Sequence, residues 1–301
     1  MKKPRQLSNH LLAVLACLLW STAFVAVKRA LTWQTPLNLA GMRFLLAGLL
    51  QLPLCGRLSA PFRLLREQPL TVLAVSFFHT VYLYGTFFLA LQWVEGAHAA
   101  IIIGAGPLVT AVTAHLLMPG DRLDRQTALA IAFGLAGVTL VALSTHPWTP
   151  VGRRELGGIL LLLSGSFVSA LGNILVARRS KVLPPVALNS AQMLIGGPIL
   201  LAIAFLAEGP PRLAVPPVFY GWLLWLSVIS AAGFAIWFHL LGRMRVSRLN
   251  LWKFLIPLNG ALLSWLLLPG ESPSPAALAG MALILAALFI GRKEAPVPPA
   301  E

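Results

Sequence analysis

Charge is what this sequence lacks. Only 11% of its 301 residues are charged, with nine acids against twenty-three lysines and arginines, while 58% are hydrophobic and the mean hydropathy is +0.82. A soluble globular chain carries about 25% charged residues, so a water-facing surface could not be covered here and a soluble fold is excluded. Cysteine is nearly missing too. Cys17 and Cys55 fall in or at the end of apolar stretches and supply neither a disulfide framework nor metal-ligand spacing. Long polar loops are absent, which leaves no room for a soluble catalytic domain. No nucleotide-binding loop, metal-ligand cluster, nucleophile–base motif or nucleic-acid patch is found. The expectation is a chain with no cofactor, no metal, no nucleic-acid partner and no enzymatic site.

What the sequence does hold is long apolar runs. Bounded by charge or by Pro and Gly, they fall near residues 10–30, 36–55, 70–91, 97–118, 127–144, 156–176, 186–206, 218–240, 249–268 and 276–291. A bilayer-spanning helix needs about 20 mostly apolar residues. The reading is an all-α integral membrane protein of ten transmembrane helices in a bacterial-type inner membrane, the last run being short for a span. The first run follows Met1-Lys2-Lys3-Pro4-Arg5, as a signal peptide would, but the nine later runs favour a retained first helix.

The net charge of +14 fits this reading. With ten spans and the N-terminus in the cytoplasm, the inner segments hold Lys2, Lys3, Arg5, Arg57, Arg63, Arg66, Arg122, Arg125, Arg178, Arg179, Lys181, Arg243, Arg245, Arg248, Arg292 and Lys293. The outer segments hold only Lys28, Arg29, Arg153, Arg154 and Arg212. Sixteen against five is the bias of the positive-inside rule. A missed or extra span near the middle would mix the two sets. Both termini are therefore expected inside.

The chain also repeats itself. At a shift of 150 residues, Pro107 lands on Pro257, Pro119-Gly120-Asp121 on Pro269-Gly270-Glu271, and Lys28-Arg29 on Arg178-Arg179. The halves are 10–144 and 156–291, followed by a short cytoplasmic tail, 292–301. Each half has five spans, an odd number, so the second copy would enter the membrane inverted. Inverted repeats are a mark of secondary transporters, with the substrate site near the bilayer midplane between the halves.

These residues resemble the drug/metabolite transporter superfamily, in its ten-helix branch with two EamA domains. The resemblance is carried by Trp20-Ser21-Thr22-Ala23-Phe24, Arg43-Phe44, Ala90-Leu91, Pro107 and the turn Pro119-Gly120-Asp121 with its Gly134/Gly137 helix. The second half repeats it as Pro257, Pro269-Gly270-Glu271 and the Ala279-Gly280 helix. The turn departs from the family's Leu-Gly-Glu by its prolines and by Asp121. The resemblance implies a carrier of small metabolites, often an amino-acid exporter, driven by an ion gradient; the coupling ion, a proton or another, and the state, monomer or homodimer, carry no local signal.

The nine acids all lie in loops, tails or span ends, so no mid-membrane carboxylate supports proton-for-cation exchange. His79, near the middle of the third span, is the candidate for proton coupling or substrate contact; the alternative is a neutral imidazole bonded to a neighbouring helix. Arg43, seven residues into the second span and at a depth from which a long side chain can snorkel outward, reads either as an anion partner for a substrate carboxylate or as a helix-packing or orienting residue, and Lys253, close to the cytoplasmic face, as a snorkelling residue. Ser21, Thr22, Asn173, Gln192 and Asn259 are uncharged polar residues at span depth that bond cargo or glue helices. Trp20, Tyr82, Tyr84 and Trp237 would make an amphipathic wall. Pro107 and Pro257 would kink matched spans and free carbonyls near the site. The substrate-binding set read from the sequence is thus Trp20, Ser21, Thr22, His79, Tyr82, Pro107, Asn173, Trp237, Pro257 and Asn259. The rival readings are an intramembrane lipid enzyme built around His115 and Asp121, and a passive channel, which would need a continuous polar stripe.

Overall fold

The structure is a computed structural model that describes residues 3–94, 96–145, 150–267 and 274–291. The Pro269-Gly270-Glu271 turn and the tail 292–301 lie outside the described residues. Among the described residues there is no strand. Eight helices among the described residues are long and apolar enough to cross a membrane: Ser8–Ala30, Pro36–Cys55, Pro69–Ala90, His98–Leu117, Arg125–Ser144, Arg153–Arg179, Pro185–Ala207 and Pro217–Leu241. A shorter apolar helix runs Pro275–Gly291.

In chain order the helices are α1 (Lys3–Ala30), α2 (Pro36–Gln51), α3 (Ala60–Glu67), α4 (Pro69–Ser76), α5 (Tyr82–Ala90), α6 (Gly96–Gly104) and α7 (Gly106–Leu117). Then come α8 (Arg125–Thr145), α9 (Arg153–Arg179), α10 (Pro185–Ala207), α11 (Pro217–Leu241), α12 (Val246–Leu251), α13 (Leu255–Leu267) and α14 (Pro275–Gly291). Proline opens α2, α4, α10, α11 and α14. Its fixed φ suits the first helical residue, where no N–H is needed.

Four apolar runs are not single α-helices among the described residues: the second ends in a 3-10 turn, Leu52–Cys55, after α2, and three others break within their length. The third span is α4, a π turn at Phe77–Val81, and α5, with the Tyr82 N–H bonded back to the Phe77 carbonyl. The fourth breaks at Ala105, between α6 and α7, just before Pro107. The ninth run begins at Val246 and passes through a 3-10 turn, Trp252–Phe254, before α13, again just before its proline, Pro257. A proline removes a backbone donor and crowds the preceding turn, which accounts for the two matched breaks.

Most helix starts recur along the chain, those of α3 and α5 being the exceptions. Starts at 3, 36, 69, 96, 106 and 125 are followed by starts at 153, 185, 217, 246, 255 and 275. The caps recur as well: Asp124 Oδ1 accepts the Thr127 N–H at 2.7 Å ahead of α8, and Ser274 Oγ accepts the Ala277 N–H at 3.1 Å ahead of α14.

The chain forms two compact units, and they cut across the sequence halves. The first holds the chain up to Phe88 with Leu175–Gly242; the second holds Leu89–Ile174 with the chain from Arg243 onward. In the first, α2 lies against α10 with little room to spare: a Cβ on Gly197 would come within 2.5 Å of the Leu45 backbone nitrogen. In the second, α8 and α14 meet backbone to backbone. A Cβ on Gly137 would lie 2.5 Å from the Gly280 carbonyl oxygen, and one on Gly280 2.6 Å from the Gly137 carbonyl oxygen. Small residues at such crossings let helices approach closely where lipid offers no hydrophobic drive.

Candidate functional site

The first unit gathers polar and aromatic side chains inside its spans. From α2, Arg43 is 5% exposed. Its Nε donates to Ser230 Oγ on α11 at 2.6 Å, and its guanidinium carbon lies 5.1 Å from the Phe44 ring centre and 5.7 Å from that of Tyr84. These are cation–π distances. Ser230 and the two rings hold the Arg43 head inside the protein. Ser230 Oγ in turn donates a hydrogen bond to the Leu226 carbonyl at 2.8 Å.

Around Arg43 runs a chain of rings. Phe44 meets Tyr84 at 4.5 Å and Phe234 at 6.5 Å; Trp20 meets Phe234 at 5.3 Å and Trp237 at 5.2 Å. His79, buried in the π turn, faces Phe238 at 5.2 Å and Phe234 at 6.0 Å. A π turn adds one residue to a helical turn and re-aims its side chains, and such turns concentrate at functional sites.

Beside this cluster lies a directed hydrogen-bond chain. Thr80 Oγ1 donates to Gln192 Oε1 at 2.5 Å, Gln192 Nε2 to Asn189 Oδ1 at 3.0 Å, Asn189 Nδ2 to Gln51 Oε1 at 2.9 Å, and Gln51 Nε2 to the Ala47 carbonyl at 3.3 Å. Ser76 Oγ donates to the Gln192 carbonyl at 2.9 Å. All five side chains are buried. The chain pins both sides of the π turn to α10 and thence to α2.

Of the residues read from sequence, Trp20, Arg43, His79 and Trp237 belong to this one cluster. Ser21 and Thr22 spend their hydroxyls on their own helix, on the Cys17 and Leu19 carbonyls, each at 2.7 Å. Tyr82 is half-buried and packs on Phe77 at 5.4 Å; Tyr84 is the tyrosine beside Arg43. Pro107, Asn173, Pro257 and Asn259 belong to the second unit, where Pro107 and Asn173 are buried and Pro257 and Asn259 half-buried. Sequence reasoning missed Ser230, Phe234, Phe238, Thr80, Asn189 and Gln51. The stripe Ser230, Phe234, Trp237, Phe238, spaced by four, three and one, marks one face of α11 and was there to be read.

The second unit keeps its charged groups at helix ends. Asp121 takes the Ser247 N–H at 3.0 Å and also the Ser247 hydroxyl, capping α12 from the Pro119-Gly120-Asp121 turn, where Gly120 adopts φ +88°. Arg248 Nη2 donates to Asp124 Oδ2 at 2.7 Å, and its Nη1 to the Gly291 carbonyl at 2.9 Å. Burial pushes the Asp124 carboxyl upward, but the Thr127 N–H and Arg248 outweigh it and hold it below the usual value. His98 Nδ1 and Glu155 Oε1 are 2.6 Å apart. His115 Nδ1 accepts the Leu123 N–H at 3.2 Å. His115 and Asp121, the pair an intramembrane enzyme would use, thus each hold backbone N–H groups of their own unit. Among the described residues no His, Cys, Asp and Glu group could hold a metal.

Comparison with known proteins decides the family. The profile of the EamA-like transporter family matches residues 7–143 and again 156–291. The chain belongs to the EamA-like transporter family. An uncharacterised transporter of Bacillus subtilis, YvbV, is 25% identical over 96% of this chain and 93% of its own. A probable amino-acid metabolite efflux pump of Salmonella typhimurium is 28% identical over 93% of each chain. A solved crystal structure matches with a TM-score of 0.81 at 20% identity, covering 94% of this chain and 96% of that one, a likeness of fold. This EamA-family chain is a multi-pass membrane protein whose family implies a small-molecule cargo.

Proposed function

We propose that the protein is a secondary active transporter that exports small metabolites such as amino acids by alternating access. Its ten spans would form two inverted five-helix repeats, 10–144 and 156–291, with both termini in the cytoplasm. The observation that carries this reading is the recurrence of breaks and caps. The Gly104–Gly106 break before Pro107 returns as the Trp252–Phe254 turn before Pro257, and the Asp124 cap returns as Ser274. Two copies of one design, each with an odd number of spans, lie antiparallel, and an antiparallel pair can exchange conformations. The Salmonella relative, a probable amino-acid metabolite efflux pump, supports the cargo class.

The site of the reading is the first unit's cluster of Trp20, Arg43, His79 and Trp237. The His79 imidazole is the group in it that could carry a proton. In reconstituted vesicles the protein is expected to support counterflow of at least one member of an amino-acid, sugar and organic-acid panel; no counterflow of any of them defeats the carrier reading. His79→Gln is expected to change the pH profile of that counterflow, and a normal rate at every pH makes His79 a packing residue. Cysteines placed at 28 and 178 should label from opposite sides of the membrane; labelling from one side defeats the inverted arrangement.

A further inference from the structure

Arg43 is a permanent cation inside a span, and a lone charge at that depth is costly. The acids among the described residues are all committed elsewhere. Glu67 pairs with Arg63, Asp121 caps α12, Asp124 pairs with Arg248, Glu155 with His98, and Glu208 takes the Leu37 and Asn38 N–H groups at the start of α2. Among the described residues no carboxylate forms an ion pair with Arg43, whose Nε donates to Ser230 Oγ. Two ring faces return part of the cost. A full counter-charge is missing.

We infer that this counter-charge arrives with the cargo: Arg43 is the seat of a carboxylate, and the site takes small monocarboxylates, amino acids among them, whose apolar body lies against Trp20, Phe234 and Trp237. The inference rests on the carrier reading and narrows it. Ser230 holds Nε and fixes the plane of the guanidinium, leaving the two terminal nitrogens as a fork. A carboxylate matches that fork with two parallel N–H···O bonds, which a lysine cannot offer. A single negative charge balances the single positive one, which disfavours a phosphate dianion. Trp20 meets Phe234 edge-on and Trp237 at a tilt, an apolar cluster suited to a hydrocarbon or aromatic body.

The test uses the purified full-length protein and three probe pairs: acetate against acetamide, 3-phenylpropanoate against 3-phenylpropanamide, and L-leucine against L-leucinamide. Binding is read by quenching of tryptophan fluorescence and by thermal shift. At least one acid should bind ten-fold or more tightly than its amide. Arg43→Gln should erase that preference, Arg43→Lys should keep a fraction of it, and Ser230→Ala should weaken the acid several-fold while leaving the amide unchanged. Equal binding of acid and amide in all three pairs overturns the inference, as does an Arg43→Gln protein that melts like the wild type and still prefers the acid. Counterflow separates this inference from the carrier reading. Vesicles that move cargo without regard to the carboxylate sink the inference alone; an acid preference in binding with no counterflow of any panel member sinks the carrier reading alone.

Discussion

Both compact units press helices together over glycine, Gly197 against Leu45 in the first and Gly137 against Gly280 in the second, but they place their polar groups differently. The first places polar side chains deep in its spans, with Arg43 on Ser230 and the run from Thr80 through Gln192 and Asn189 to Gln51. The second sends its carboxylates to the helix ends, where Asp121 and Asp124 cap and pair. A buried hydrogen bond costs more to misalign than a glycine contact costs to slide. Polar groups therefore belong where a particular geometry must be specified, and close backbone packing where only firmness is needed. On this view the first unit specifies and the second supports.

The largest effect that would test this is steric. Gly137→Leu places a side chain where a Cβ alone already sits 2.5 Å from the Gly280 carbonyl. Overpacking costs about 1–3 kcal/mol and sometimes more, and here the obstacle is backbone, so a loss of about 3 kcal/mol or more is expected in denaturant titration of the purified protein. Gly221→Ala, which meets nothing within 4 Å, is the neutral control. A Gly137→Leu protein as stable as the control breaks the comparison, since the second unit's firmness would then not lie in that contact.

A smaller effect sharpens the first unit's side. Gln192→Leu removes the acceptor of Thr80 and the donor to Asn189, leaving buried polar groups that each cost about 1–3 kcal/mol when unsatisfied. Couplings between polar residues in membrane helices average about 0.6 kcal/mol, so Thr80→Val with Gln192→Leu should cost less than the two singles together by about that much. The functional readout should move further than stability does, because Thr80 shares the π turn with His79. Strict additivity would mean that the chain does not act as a unit.

Much of this was written in the sequence, and the rest was hidden for physical reasons. The apolar runs fixed eight spans to within a few residues, because lipid demands length and hydropathy, and prolines 36, 69, 185, 217 and 275 marked helix starts. The breaks before Pro107 and Pro257 were legible as kinks. The π turn was not, since Phe77-Phe78-His79-Thr80-Val81 holds no glycine or proline and the extra residue answers to packing around Thr80 and Gly196. Nor could the sequence tell that α2 pairs with α10, and so that the compact units mix the two halves. Hydropathy says which segments meet lipid, and it is silent on which segments meet each other. The partner of Arg43 was hidden for the same reason: its depth was readable, but Ser230, which accepts from its Nε, lies 187 residues away in the chain.

The smallest effect concerns pH, and its sign separates the units. The Asp124 carboxyl is held below its ordinary value by the Thr127 N–H and Arg248, against the upward push of burial. A carboxyl depressed by folding binds protons less readily in the folded chain than in the unfolded one. Its stabilisation is therefore complete above the unfolded value, about 3.9, and is lost as the pH falls through the lower folded value. The side chain is 37% exposed, so solvent screens the pair and the contribution is modest. Between pH 5 and 8 the melting temperature should owe no slope to Asp124, and Asp124→Asn should lower it by a constant amount there, with the two curves converging below about pH 3.9. A pH slope in counterflow within that neutral range is then not Asp124's; on the function proposed above it belongs to the first unit's buried imidazole at His79, which lies among the rings around Arg43. If Asp124→Asn removed the neutral slope in counterflow, titration would belong to the supporting unit and the division of labour between the two would fail.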